Sequence, residues 1–359
     1  MNTLLNQLDG KRDGRVIRTL KDGYWDITEV IEAADGTHRV RKRTKGSSAS
    51  GPWGVESLRR EIRFLRSLSS RARVAFPEVL AAWDSVDSTT HDIGYEIPFY
   101  AHHTDAGELA RRGALPQSEV DEFQDLLAEA LLHRVHEPST VHAPLSQHMI
   151  ETMRHAIDEL ASQPAFKSLI EASSIELNGR RALGPRAALD RLVTSTDAFV
   201  ALDAVPPVRL HGDFFLENIL WSPASAAADT SRLILIDPVS VAGISVGPPL
   251  FDFVKYESYA TGELLGLRTG CVAVSGFADE RHCYHWRIRD EDPTLANFKS
   301  IDWHSRFQHA FEVKHGAVDR RLADLIDGYF SLAMAVNTTG VQRQARLLKG
   351  TTDLNAALN

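Results

Sequence analysis

The stretch "HGDFFLENILW", His211 to Trp221, sets a carboxylate (Asp213) five residues ahead of an amide (Asn218) in a polar loop that leads into an apolar segment. A second carboxylate, Asp237, ends the apolar run Leu233–Ile236. A hairpin formed by 218–221 and 232–236 would bring Asn218 and Asp237 together at its rim. Two such oxygen donors suit a hard divalent cation, because Mg²⁺ prefers oxygen, keeps several waters and takes only one or two carboxylates plus substrate phosphates. Asp213 would then be left to orient a substrate hydroxyl and accept its proton. The plain alternative is a polar turn whose aspartate caps a backbone group.

The elements that must position these groups are legible in outline. From Arg15 to Lys45 the chain reads as strands: "RVIRTL", a turn at "KDGYWD", "ITEVIEA", a turn at Ala34-Asp35-Gly36, and "THRVRKRTK". Asp-Gly between alternating stretches is a strong hairpin signal. "GSSASGPWG" reads as a flexible linker, and "VESLRREIRFLRSL" as a helix with Val55, Leu58, Ile62 and Leu65 at helical spacing. "FPEVLAAWDSV" and "DIGYEIPFY" read as two further strands. A helix opening on the capping-type residue Ser118 follows, then two or three more between 145 and 202. After Phe251 helices resume, interrupted by an aromatic and charged stretch from about Ala278 to Phe307.

In "HRVRKRTK", Val40, Lys42 and Thr44 share one strand face. A lysine on the inner face could reach nucleotide phosphates, provided an anion holds its extended side chain. On the helix, Glu61 lies in line with Leu58 and Leu65, whereas Glu56 is about 140° away at roughly 100° per residue. A solvated basic strand, or a nucleic-acid patch, is the bland reading of "RVRKRTK".

His-Gly-Asp, four residues, Asn, then an apolar strand ending in "IDP" resembles the catalytic loop and metal-binding Asp of the aminoglycoside phosphotransferase and choline kinase-like family of small-molecule kinases. The resemblance implies an α+β, bilobal protein-kinase-like fold. It would have an antiparallel N-terminal lobe (1–99) with one helix and a larger, mainly helical C-terminal lobe (100–359) carrying the catalytic loop and acceptor site. It implies Asp213 as base, His211 as a brace for the loop, Asn218 and Asp237 as Mg²⁺ ligands, and Asp252 in "PLFDFVK" as a structural support. It further implies Lys42 and Glu61 as a nucleotide-clamping ion pair, with Lys45 the runner-up for Lys42. A phosphate-covering loop would be "LKDGYWD", carrying the single glycine Gly23. The adenine would meet "GYEIPFY", with the Glu96 carbonyl as acceptor and Ile97 or Phe99 as donor, since Pro98 has no N–H. The Asp213-to-Asp237 interval is longer than is usual in the family, and the Ala/Ser-rich stretch 222–231 absorbs the excess as an insertion at a hairpin tip.

The implied reaction moves the γ-phosphoryl group of ATP or GTP to a hydroxyl of a small molecule, such as an aminoglycoside or other antibiotic, an amino sugar or an amino alcohol. A kinase-like binding protein that has lost catalysis is the alternative. A protein kinase fits less well, since the loop reads His-Gly-Asp rather than His-Arg-Asp and no segment resembles an activation loop ending in Ala-Pro-Glu. The acceptor region would include 278–307, where Glu280, His282, His285, Trp286, Asp290, Glu291, Asp292, Asp302 and Trp303 could form a pocket for a polyol or cationic amine. Helix caps on a surface excursion would use the same residues. His282, Cys283 and His285 hint at zinc, but a second ligand pair of the usual form is missing, so no zinc site is expected there.

Composition agrees with an enzyme of this kind. The 359 residues, 43% hydrophobic, suffice for one large or two medium domains. A net charge of −8 argues against a dedicated nucleic-acid binder. Two cysteines, Cys271 and Cys283, are too few for a disulfide framework and point to free thiols in a reducing cytoplasm. No secretory signal and no membrane-spanning run are read from the chain.

Overall fold

The computed structural model describes residues 14–23, 26–45, 47–86, 91–113, 115–141, 144–195, 197–222, 232–239, 243–278 and 282–359. The chain divides into two compact units. The first contains the described residues up to Gly107, together with Glu129–Val135 and Leu210–Ser245; the second contains Glu108–Ala128, His136–Arg209 and Val246–Asn359. The segment that holds the His-Gly-Asp loop therefore belongs with the N-terminal sheet.

That sheet is built from β1 (Gly14–Asp22), β2 (Asp26–Ala33), β3 (His38–Thr44), β4 (Ala81–Val86) and β5 (His91–Pro98), antiparallel throughout and ordered β1-β2-β3-β5-β4. The β2–β3 hairpin turns where Asp35-Gly36 stands. Asp35 Oδ1 accepts the Thr37 N–H at 2.9 Å, and Gly36 takes a φ of +79°, a conformation that a Cβ would strain. On β3 the residues alternate as expected. Lys42 and Thr44 are buried on one face, while the arginines of the other face are ion-paired: Arg39 with Asp35 and Glu96, Arg41 with Glu96, Arg43 with Glu29. The basic strand is thus neutralised within its own sheet.

Helix α1 (Ser47–Arg66) packs on β3 and β5 and buries Val55, Leu58, Ile62 and Leu65, each contributing ~1.5–3 kcal/mol. It begins well before Val55, so most of the expected linker is helix. The linker reading rested on small residues, which tolerate a helix as well as a coil when apolar spacing is absent. The strand expected over 76–86 is shorter, beginning at Ala81.

Still within the first unit, β6 (Thr104–Asp105) joins a three-stranded sheet with two later strands. The second unit begins within a helix at Ala106–Arg112, and the next helix, Gln117–Ala128, places Ser118 inside its first turn rather than at the cap. Further helices span Leu145–Ala161, Pro164–Glu171, Pro185–Ser195 and Ala198–Ala204. Between them run β7 (Ile175–Leu177) and β8 (Arg180–Ala182), strands too short to leave a period in the sequence. β9 (Val208–Arg209) pairs a later two-residue strand of the same unit. Back in the first unit, β10 (Ile219–Trp221) and β11 (Leu233–Leu235) form the expected hairpin, Ile219 opposite Leu235, with β10 flanked by β6. The insertion expected at its tip lies outside the described residues from 223 to 231.

The remainder of the second unit is β12 (Val246–Gly247), which pairs β9, then β13 (Val272–Ser275), β14 (Cys283–Ile288) and helices including Leu250–Ala260, Arg320–Ala335 and Gly340–Ala356. A four-stranded sheet runs β13-β14-β7-β8. Cys271 and Cys283 are free thiols. Among the described residues no helix is long and apolar enough to cross a membrane. The α+β class expected from sequence is what the chain adopts: an antiparallel sheet with one long helix, and a mainly helical unit.

Candidate active site

The first unit brings the sequence-selected residues onto three neighbouring pieces of backbone. The loop at 211–218 begins with Gly212 at φ +82°, where a Cβ would lie 2.1 Å from the Ile244 carbonyl oxygen. Only glycine fits between His211 and Asp213. His211 is fully buried, and its Nε2 lies 3.0 Å from the Ile236 carbonyl oxygen. A carbonyl can only accept, so Nε2 carries the proton and Nδ1 accepts the Asp213 N–H at 3.3 Å. The ring stacks on Phe76 at 5.8 Å. His211 therefore ties the backbone beside Asp213 to the chain just before Asp237.

A single 3₁₀ turn, Leu216–Asn218, returns the chain toward Asp213. Asn218 Nδ2 donates to the Asp213 carbonyl at 2.8 Å and to its Oδ2 at 3.2 Å. Its nitrogen is committed there, so its oxygen is the atom suited to a cation. Asp213 and Asn218 are each 5% exposed, and the Ile236 N–H donates to the Asn218 carbonyl at 2.9 Å. Register thus sets Asp237 next to Asn218. Asp237 itself has φ +54° and Val239 φ +51°, unusual for a residue other than glycine and strained for a β-branched one.

Lys42 is the centre of the charge network. Its Nζ lies 3.0 Å from Glu61 Oε2, 3.2 Å from Glu61 Oε1, 2.9 Å from Asp237 Oδ1 and 3.6 Å from Asp26 Oδ2. Burial works to strip the proton from Lys42, but Asp237, Glu61 and Asp26 outweigh it and hold the ammonium well above the ordinary lysine value. Burial likewise raises the Asp237 carboxyl, and Lys42 and Lys21 more than reverse that, holding it below the usual range. For Glu61 burial wins: it pushes the carboxyl up to about 7 against the pull of Lys42. Tyr95, opposite Lys42 on β5, donates its hydroxyl to Glu61 Oε1 at 2.6 Å. Lys45, the runner-up, pairs with Asp22 instead, and Glu56 pairs with Arg59, Arg60 and Arg63 on its own helix.

Three residues of this network were not singled out by sequence reasoning. Lys21 near the end of β1 and Asp26 at the start of β2 flank Gly23, and Lys21 Nζ lies 3.9 Å from Asp237 Oδ2. Gly23 is packed so closely that a Cβ there would meet Asp26 Oδ1 at 2.7 Å; residues 24–25 of the expected loop lie outside the described residues. A lysine and two acids around the only glycine of the turn were the signal available. Tyr95 had none, because its place opposite Lys42 follows from strand register.

The nucleotide-edge residues are differently placed from one another. The Glu96 carbonyl already accepts the Leu80 N–H at 2.8 Å, and its side chain is paired with Arg41. Ile97 sits opposite Val40 inside the ladder. Phe99 is the first of the three beyond β5. One lone pair of the Glu96 carbonyl remains for another donor.

In the second unit Asp252 is fully buried, with His136 Nε2 at 3.2 Å. Among the described residues of 278–307, several of the expected acceptor side chains have partners within the fold. Trp303 is 1% exposed and stacks on Phe298 in the core, and Trp286 Nε1 donates to Thr352. Asp290 pairs with Lys299 and Glu291 with Arg287. Asp292 caps a helix at Thr294, and Asp302 accepts from the backbone N–H groups of His304 and Ser305. These acids serve as caps and surface pairs; Glu280 lies outside the described residues.

A family model described as the phosphotransferase enzyme family matches residues 30–268. Sequence comparison with curated proteins returns no match. Among solved structures, the chain is similar to a glucosamine kinase in complex with glucosamine, ADP and inorganic phosphate, at 14% identity and TM-score 0.44, over 98% of this chain and 95% of that one. It is similar to an aminoglycoside phosphotransferase from Streptomyces rimosus at 20% identity and TM-score 0.46, over 87% and 90%. It is also similar to an aminoglycoside phosphotransferase from Alicyclobacillus acidocaldarius at 13% identity and TM-score 0.45, over 100% and 95%.

Proposed function

The chain belongs to the phosphotransferase enzyme family and is a small-molecule kinase, and on that premise we propose that it transfers the γ-phosphoryl group of ATP or GTP to a hydroxyl of a small acceptor, with Asp213 as the base. The acceptor is an antibiotic such as an aminoglycoside, an amino sugar or an amino alcohol. Residues 1–99 supply the nucleotide clamp on this reading, and 100–359 the catalytic loop and the acceptor contacts.

The observation that carries the proposal is the Lys42 ammonium held between Glu61 and Asp237. Glu61 keeps the lysine extended, and the lysine points at the carboxylate expected to lie beside the phosphates. Asn218 and Asp237 offer oxygen donors, which fits Mg²⁺. When bound, that ion neutralises charge on the phosphate oxygens. Lys42 binds phosphate oxygens, Lys21 approaches from the end of β1, and the adenine edge meets the chain at Glu96 to Phe99, with the Phe99 N–H the better-placed donor.

Asp213 is positioned by its own backbone bond to His211 and by the Asn218 amide. It accepts the proton of the acceptor hydroxyl as the oxygen–phosphorus bond forms and the bond to the bridging oxygen breaks. Labelled ATP and GTP incubated with aminoglycosides, amino sugars and amino alcohols test the reading. Phosphorylated acceptor is expected from the wild type and none from Asp213→Asn. Nucleotide binding without transfer to any of these acceptors would instead favour a binding protein.

A further inference from the structure

The four-stranded sheet of the second unit holds a cluster that the phosphotransfer chemistry does not use. β14 pairs with β7 in parallel, setting Cys283 opposite Glu176 and Tyr284 opposite Leu177. The register is fixed by backbone bonds from the Glu176 N–H to the His282 carbonyl and from the Asn178 N–H to the Tyr284 carbonyl, both 2.9 Å. The Asn178 side-chain oxygen also accepts the Trp286 N–H at 2.9 Å. Strand alternation then decides which side chains meet. Tyr284, Ile175 and Leu177 turn into the core, so Glu176, Cys283 and His285 share the opposite, solvent-facing side.

There a carboxylate, a thiol and an imidazole converge. Cys283 Sγ lies 3.3 Å from Glu176 Oε1 and 3.6 Å from His285 Nε2, and all three ligand atoms lie within 4.8 Å of one another. Ligand atoms on a tetrahedral zinc, with Zn–S about 2.3 Å and Zn–N or Zn–O about 2.0–2.1 Å, are separated by roughly 3.5 Å. The observed spacings therefore need little adjustment to accept an ion. His282 is not part of the set, since its Nδ1 lies 3.4 Å from Ser168 Oγ. The sequence offered two histidines and a cysteine without a partner pair; the partner is Glu176, 107 residues away from Cys283.

We propose that Glu176, Cys283 and His285 form a metal site for a borderline divalent cation of the zinc type, with water completing the coordination. One thiolate, one imidazole and one carboxylate favour zinc-type ions over Mg²⁺ or Ca²⁺. Binding expels the Cys283 thiol proton, so affinity rises with pH. The ion staples β7, three residues long, to β14, and stabilises the fold in proportion to its occupancy.

Cobalt serves as the probe. Titrating the wild-type protein with Co²⁺ alone, without nucleotide, is expected to give a thiolate-to-cobalt charge-transfer band that saturates at a single equivalent and is bleached by Zn²⁺. Cys283→Ala should lose the band. Asp237→Ala and Cys271→Ala should keep it, because the oxygen donors near Lys42 cannot produce it and Cys271 lies elsewhere. Glu176→Gln and His285→Ala should each weaken binding by roughly tenfold or more, with circular dichroism verifying the folded state of every variant. No thiolate band at large Co²⁺ excess, a band that survives Cys283→Ala, or saturation at half an equivalent would overturn the site.

Discussion

The Nζ of Lys42 lies 2.9 Å from Oδ1 of Asp237, although 195 residues separate them in the chain. The same ammonium bonds both oxygens of Glu61. One side chain therefore joins β3, α1 and the end of β11, and neutralises two acids that would otherwise repel each other in a buried setting.

Removing that cation should be costly. Breaking a buried ion pair by deleting one partner costs ~3–5 kcal/mol. Urea unfolding of Lys42→Met is expected to show a loss in that range, because Asp237 and Glu61, the latter 1% exposed, lose the cation that lies between them. The double variant Lys42→Met/Glu61→Gln should recover part of it. A loss below ~1 kcal/mol would mean the pair behaves like a screened surface contact.

Asp213→Asn keeps the shape of the loop, since the Asp213 N–H to His211 and the Asp213 carbonyl to Asn218 are backbone bonds. Nucleotide affinity is expected to stay within about threefold, while phosphoryl transfer falls by ~10²–10⁴. Single-turnover transfer and calorimetric nucleotide binding separate the two. Transfer near the wild-type rate would remove Asp213 as the base.

Lys21 is mostly exposed, with 64% of its side chain open to solvent, yet it lies 3.9 Å from Asp237 Oδ2. Its loss should leave stability within ~0.5 kcal/mol of wild type. If it contacts phosphates in place of a glycine-rich loop, Lys21→Ala should weaken ATP binding by roughly three- to tenfold, with a smaller effect at high salt. Unchanged affinity at low salt would confine Lys21 to the hairpin.

Position 212 tests the loop through backbone alone. Gly212→Ala places a Cβ 2.1 Å from the Ile244 carbonyl oxygen at a φ of +82°. Left-handed strain costs ~1–3 kcal/mol, and the clash adds to it. A thermal or urea scan should show a loss of at least ~2 kcal/mol, whereas Gly36→Ala, at φ +79° with nothing within 4 Å of its Cβ, should lose less.

Local signals carried the site further than they carried the fold around it. Asp35-Gly36 set the hairpin, the 2-residue alternation put Lys42 inward, and the helical spacing put Glu61 beside Leu58. Each depends on a few adjacent residues. What sequence left dark depends on register between distant strands: Tyr95 facing Lys42, and Glu176 facing Cys283. In the aromatic stretch 278–307 the contacts of individual side chains were likewise dark: Trp303 lies in the core, and Asp292 and Asp302 accept from backbone N–H groups.

The pH response follows from Glu61. Burial pushes its carboxyl up to about 7 from the ordinary 4.5, with Lys42 pulling down and Asp237 pushing up. Between those values the folded protein holds a proton that the unfolded chain has released. The stability owed to this group is therefore complete below about 4.5 and is lost as pH rises through about 7, at up to about 1.4 kcal/mol per pH unit. The difference between wild type and Glu61→Gln in urea midpoint should shrink or grow along that window and be flat outside it, with the wild type losing ground toward alkaline pH. Nucleotide binding should run the other way. Above about 7 the ionised Glu61 holds Lys42 extended, so ATP affinity should rise across that pH in the wild type and stay level in Glu61→Gln. Identical pH profiles for the two proteins, in both unfolding and binding, would mean that the Glu61 proton does not govern the clamp.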